Sequence, residues 1–216
     1  MNKKKLLVIA LALCLIGTLS FTTLAWFTDE AEVENKFTIG SVEIEVVENY
    51  TEPAPMIPVV NTQNPDQDPN FVNKDAYIKN TGKNAAYVQI FVAVPEALYE
   101  VGALHVVEDN QGTGKWIKSS VYFEDTIDGV DYKIFKYIWD GELAAGDSTN
   151  YVITGMYLDS ALDYNGQYYT MNGVAITEHN PNGAVKILVA GQAIQVEGFA
   201  NAEAALANFG EHPWAD

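Results

Sequence analysis

Lys74-Asp-Ala-Tyr-Ile-Lys79, Asn80-Thr81-Gly82 and Ala86-Tyr-Val-Gln-Ile-Phe-Val-Ala-Val94, closed by Pro95, are the residues that decide the fold. The first run is a short strand. Asn-Thr-Gly is turn chemistry, because Asn bonds its own backbone and Gly accepts unusual φ. The third run is apolar on both faces, so both faces need cover, and it is expected to be a central strand. Pro95 has no amide for a ladder and ends it.

Outward from this pair, turn signals and short apolar runs recur. Glu96 to Asp109 is ambiguous, and Gln111 to Gly114 is a loop. Lys115–Ile117 and Val121–Glu124 are expected as two short strands. Asp128-Gly129 is the strongest hairpin signal, joining Val121–Glu124 to Tyr132–Trp139. Asn150 to Leu158 is a strand interrupted by Gly155, and Tyr164 to Asn182 is a long loop or irregular hairpin. Val185 to Phe199 is expected as one long strand bent at Gly191. Asn201 caps a helix over Ala202–Phe209 that Gly210 stops. Upstream, Asn49 to Asn73 holds five prolines (Pro53, Pro55, Pro58, Pro65, Pro69) and is expected to cross from one sheet to the other. Phe37 to Val46 alternates apolar and polar residues with a slip at Gly40-Ser41, so it reads as a bulged, half-buried strand. Glu43 and Glu45 on its outer face would guard an edge. With little helix and no βαβ spacing, the fold class is all-β: a jelly-roll-like antiparallel β-sandwich with long loops and a short C-terminal helix.

The N-terminus reads as an export signal over residues 1–25. Lys3-Lys4-Lys5 is a basic start, Leu6–Ile16 an apolar core, and Thr23-Leu24-Ala25 a small-residue end suited to cleavage between Ala25 and Trp26. Extended to Phe27, the apolar run would nearly span a bilayer as an anchor, but Ser20, Thr22 and Thr23 weaken that reading. Residues 26–216 are then a single β-sandwich domain, with 26–36 expected as a mobile acidic segment.

All 12 basic residues of the 216-residue chain are lysines, against 29 acids. Removing Lys3–Lys5 with the signal leaves 9 lysines against 29 acids, a net charge of −20. Such a surface repels phosphate backbones, which argues against nucleic acid. The one cysteine, Cys14, lies in the signal, so the mature chain has neither a disulfide nor a thiolate.

Little in the chain carries a recognisable chemical motif. His105, His179 and His212 are never four apart, and no His-Glu-x-x-His occurs. His105 and Glu108 stand three apart without a second histidine nearby. There is no Gly-x-Ser-x-Gly elbow and no phosphate loop. Asp66-Gln-Asp68-Pro-Asn70 begins like a calcium loop and then places Phe71 at the turn glycine and Tyr77 at the bidentate glutamate, so calcium is at most a weak possibility and no cofactor is expected. Asp163-Tyr-Asn165-Gly166 reads the same way. Tyr164, Tyr168 and Tyr169 either stack on a ligand or cover the end of the sandwich.

Leu24-Ala25-Trp26-Phe27-Thr28-Asp29 resembles the cleavage region of proteins exported through the signal peptidase SipW. Phe37-Thr-Ile-Gly-Ser-Val-Glu-Ile44, the 74–88 strand pair around Asn-Thr-Gly, and Gln192–Phe199 followed by a helix resemble the TasA and camelysin-like family. The resemblance implies a jelly-roll subunit secreted by a Gram-positive bacterium to its extracellular matrix or surface. It implies a head-to-tail homopolymer, a biofilm-matrix fibre in which the N-terminal strand of one subunit completes the sheet of the next. It also implies a dedicated signal peptidase as partner and no membrane contact after cleavage. Within the donor stretch Trp26 to Val47, the assembly strand is expected at Phe37, Ile39, Val42, Ile44 and Val46. Camelysin-like members are classed as metallopeptidases, an activity not carried over here for want of a ligand cluster. The alternatives are a monomeric surface sandwich that binds carbohydrate or host protein and, third, a secreted peptidase.

Overall fold

A computed structural model describes residues 28–32, 35–36, 42–50, 56–109, 115–177 and 184–215. The signal, the Ala25/Trp26 junction, Phe37, Ile39, His179 and the Gln111–Gly114 loop lie outside these residues. In chain order the elements are β1 (Thr28–Glu32), β2 (Asn35–Lys36), β3 (Ile44–Tyr50), β4 (Val72–Asn80), β5 (Ala86–Pro95), α1 (Glu96–Glu100), β6 (Leu104–Glu108) and β7 (Trp116–Ile127). Then come β8 (Val130–Trp139), β9 (Ile153–Leu158), β10 (Leu162–Tyr164), β11 (Tyr169–Met171), β12 (Val174–Ile176), β13 (Leu188–Gln195) and α2 (Ala202–Leu206).

Two antiparallel sheets form the sandwich, a six-stranded one in the order β2-β1-β13-β5-β8-β7 and a four-stranded one in the order β3-β4-β9-β6. A small sheet, β10-β11-β12, stands apart. The chain crosses between the large sheets from β4 to β5, β5 to β6, β6 to β7, β8 to β9 and again on the way to β13, the alternation of a jelly roll.

β5 is central, between β13 and β8, and every one of its residues is buried. Its even positions, Val88, Ile90, Val92 and Val94, pack in the intersheet core with Ile44, Ile78, Ile153 and Met156. Its odd positions face the other way. Tyr87 joins Ile194 and Leu206 under α2, and Phe91 and Ala93 join Ile134 and Trp214 near the C-terminus. The run is apolar on both faces because the second sheet covers one face and the C-terminal segment covers the other.

Local chemistry explains the turns. Asp128 (φ 53°) and Gly129 (φ 81°) both adopt the left-handed conformation that a two-residue hairpin between β7 and β8 requires. Asn80 is fully buried: its Nδ2 donates to the carbonyls of Asn84 and Leu143, and its Oδ1 accepts from Gly82 N. The amides of Thr81 and Gly82 both donate to the Glu43 carbonyl at 2.9 Å, so this turn also clamps the approach to β3. Asn201 caps α2 by accepting from Ala204 N.

Several expectations are corrected. Within the acidic 26–36 segment, for which no strand is expected, Thr28–Glu32 and Asn35–Lys36 are β1 and β2 of the large sheet, because the edge of β13 offers main-chain partners. Asn49–Asn73 does not cross between sheets. β3 and β4 are neighbours, and the loop between them covers the sandwich end, with Met56 and Val59 buried and Val59 N donating to Leu158 O. The two short strands after Lys115 are one strand, β7, with a register shift between Lys118 and Tyr122. Gly191 is not a bend. β13 runs in register through it, and a Cβ there would lie 2.8 Å from Val46 Cγ2, so glycine permits close approach of the facing sheet. The ambiguous 96–109 stretch is α1 followed by β6, and α2 ends at Leu206.

Candidate functional site

Edges are where a sandwich can recruit another chain. β7 is irregular at Lys118–Tyr122 and fastened by Trp116 Nε1 donating to Asn150 O and by the Lys118–Glu108 ion pair. β3 presents exposed Glu45. β13 has none of these guards: it is an eight-residue strand with no proline, charge or register shift. Left uncovered, such an edge is a template for strand addition. β1 covers it, antiparallel and in continuous register, with Thr28 opposite Ile194, Asp29 opposite Ala193, Glu30 opposite Gln192, Ala31 opposite Gly191 and Glu32 opposite Ala190.

Two neighbouring β13 positions give this edge its character. Gly191 faces the intersheet core below Val46, Ile78 and Ile44. Gln192 faces the opposite way, 1% exposed, and its Oε1 accepts from Nε2 of fully buried Gln89 on β5. Their neighbours are the apolar side chains under α2 and Trp214. Their signal in the sequence is that Gln89 and Gln192 each interrupt an apolar run.

The residues expected for assembly divide. Val42, Ile44 and Val46 lie in the core beside β4 of the same chain, and Ile44 and Val46 belong to β3. β3 is fixed at its far end by buried Lys74, which pairs with Glu48 at 2.8 Å and sits 4.4 Å from the Tyr50 ring centroid.

The other candidates are brought into separate networks. His105 and Glu108, three apart on a strand, point to opposite faces. His105 stacks on Tyr157 with Nε2 3.3 Å from Asp159. Glu108 accepts from the Tyr137 hydroxyl at 2.8 Å, and burial together with the Glu108 charge pushes the Tyr137 phenol far above its ordinary range. His212 is buried against Phe123 and Trp214, with Nε2 3.5 Å from Asp125. Asp68 accepts the Asn70, Val60 and Asn61 amides, and these bonds, Asn70 first, hold its carboxyl below the usual range. Asn165 Oδ1 accepts from the amides of Gln167 and Tyr168. Tyr169 is core, its phenol raised to about 12 by burial, which leaves Tyr164 and half-buried Tyr168 as the more accessible rings. Among the described residues, no three His, Cys, Asp or Glu side chains gather as a metal site, and no helix is long and apolar enough to cross a membrane.

Fold and edge together define an antiparallel β-sandwich whose N-terminal strand is joined to the body along one sheet edge. Comparisons with protein-family models, with curated proteins and with solved structures find no match.

Proposed function

We propose that this chain is an exported structural subunit of an extracellular fibre of the kind found in biofilm matrices, and that it polymerises when the β1 segment of one subunit occupies the β13 edge of the next. The observation that carries this reading is the position of β1: a five-residue N-terminal strand along the unguarded side of β13, hydrogen-bonded to β13 and β2. Strand addition replaces one set of main-chain hydrogen bonds by an identical set from another copy, so exchange changes little in bonding while linking subunits. Because donor and acceptor are different surfaces, the contact is head-to-tail and open-ended, which generates filaments. Cleavage after Ala25 would leave Trp26 as the new terminus and free the donor. The subunit would then be released to the matrix or surface of a Gram-positive cell. No catalytic role is assigned. The mature chain should form fibres visible by electron microscopy, and the same chain lacking residues 26–36 should stay monomeric by light scattering. Equal polymerisation of both would sink strand donation.

A further inference from the structure

We propose that the outer face of the four-stranded sheet binds a polysaccharide of amino sugars, its sugar rings lying on two groups of aromatic side chains and its ammonium groups meeting the carboxylates beside them. This face belongs to the sheet that carries neither β1 nor β13, so the inference does not rest on strand donation.

α2 and the C-terminal segment cover the outer face of the six-stranded sheet. On the four-stranded sheet, strand alternation turns Asn73, Asp75 and Tyr77 of β4, Tyr157 of β9 and His105 of β6 away from the core. Asn73 is exposed and the rings are half-buried, while Tyr151, just before β9, is exposed.

The rings form two groups. At one end Phe71 meets Tyr157 with ring centroids 6.4 Å apart, and His105 stacks on Tyr157 at 4.6 Å. At the other end Tyr77 and Tyr151 meet edge to face at 5.6 Å. Phe71, the residue before β4, stands six residues from Tyr77. That is roughly 20 Å at about 3.3 Å per residue, within reach of a short oligosaccharide. Gly155 belongs to the same face. A Cβ there would overlap the Phe71 ring, so glycine lets that ring lie against bare backbone.

A sugar ring presents apolar C–H faces to such aromatics and polar groups at its rim. The polar groups here are mostly acceptors of positive charge. Asp75 lies between the two ring groups, and burial first, then the Asp109 charge, holds its carboxyl above the usual range. Asp159 stands beside His105. Lys79, the lysine of this face, is opposite Glu45 on β3. Carboxylates that repel one another are relieved by a cation, and an anionic chain would meet them with no arginine to bind it. An ammonium on the sugar satisfies the carboxylates and is also attracted to the ring faces.

Titration calorimetry of the mature chain with β-linked hexamers of glucosamine, N-acetylglucosamine and glucose, at about 0.15 M salt, tests this. The glucosamine hexamer should bind most tightly. Tyr151→Ala and Tyr157→Ala should each weaken it about fivefold or more. Both changes are uncharged, so they leave diffuse attraction between a polycation and an acidic protein intact. Asp75→Asn should cost about threefold and narrow the preference for the free amine. Tyr164→Ala, on the small sheet, should stay within about twofold. Circular dichroism checks that each variant is folded. No binding of the glucosamine hexamer, binding that persists in both ring variants, an equal loss with Tyr164→Ala, or equal affinity for the glucose hexamer would each overturn the inference. Light scattering on the same variants reads fibre growth separately, so failure of this site and failure of strand donation are told apart.

Discussion

β1 and β3 lie on either side of the 33–43 stretch, and their attachments differ in kind. β3 is built into the subunit: Ile44 and Val46 lie in the intersheet core, the Thr81 and Gly82 amides hold the Glu43 carbonyl, and Lys74 pins Glu48. β1 is described through its main-chain register with β13 and β2. A strand whose side chains form the core cannot be given to a neighbour without opening the donor. A strand held along an edge can be exchanged. The more regular, hydrophobic sequence is therefore the fixed strand, and under the proposed strand donation the acidic one before it would be the donor.

This difference can be broken most forcefully on the β3 side. Ile44→Ala removes a fully buried side chain and should cost about 2–5 kcal/mol in urea denaturation, while folded molecules keep polymerising. Asn80→Ala removes a fully buried amide that joins the Asn84 and Leu143 carbonyls to the Gly82 amide, and should cost roughly 1–2 kcal/mol and loosen the start of β3 in hydrogen exchange. Gly191→Ala touches both strands. The added Cβ presses on Val46 and Ile78, with an expected loss of about 1 kcal/mol in stability and slower fibre growth by light scattering. The smallest effect is local. Asp68 has its carboxyl lowered, so its hold on the loop is complete above the ordinary carboxylate pKa and is lost as the pH falls through the lowered value. In acid, the Asn70, Val60 and Asn61 amides should lose protection while β3 amides keep theirs. Simultaneous loss in β3 would show that the loop and strand are one unit.

What could be read in the sequence was local. The apolar run of β5, the Asp128-Gly129 hairpin and the Asn201 cap each follow from chemistry within a few residues, and all three stand in the structure. What could not be read was pairing at long range. β1 is acidic and aperiodic, and its strand character comes from an edge more than 150 residues away, as the Thr28–Ile194 register shows. Gly191 looked like a bend because the space above it is filled by β3 and β4, which are remote in sequence. The destination of the proline-rich loop was not legible either, since composition does not say which strands a connection joins. Of the edge residues, Ile44 and Val46 were legible by alternation, whereas Gln89 and Gln192 acquire meaning only when β5 and β13 are placed side by side.

The most direct measurement uses two populations of the mature chain, one carrying only Asp29→Cys and the other only Ala193→Cys, mixed under fibre-forming conditions and crosslinked. If strand donation holds, mass spectrometry finds residue 29 of one population joined to residue 193 of the other, in proportion to fibre formed. Fibres that grow without this product, while a chain carrying both cysteines crosslinks only within itself, would contradict it.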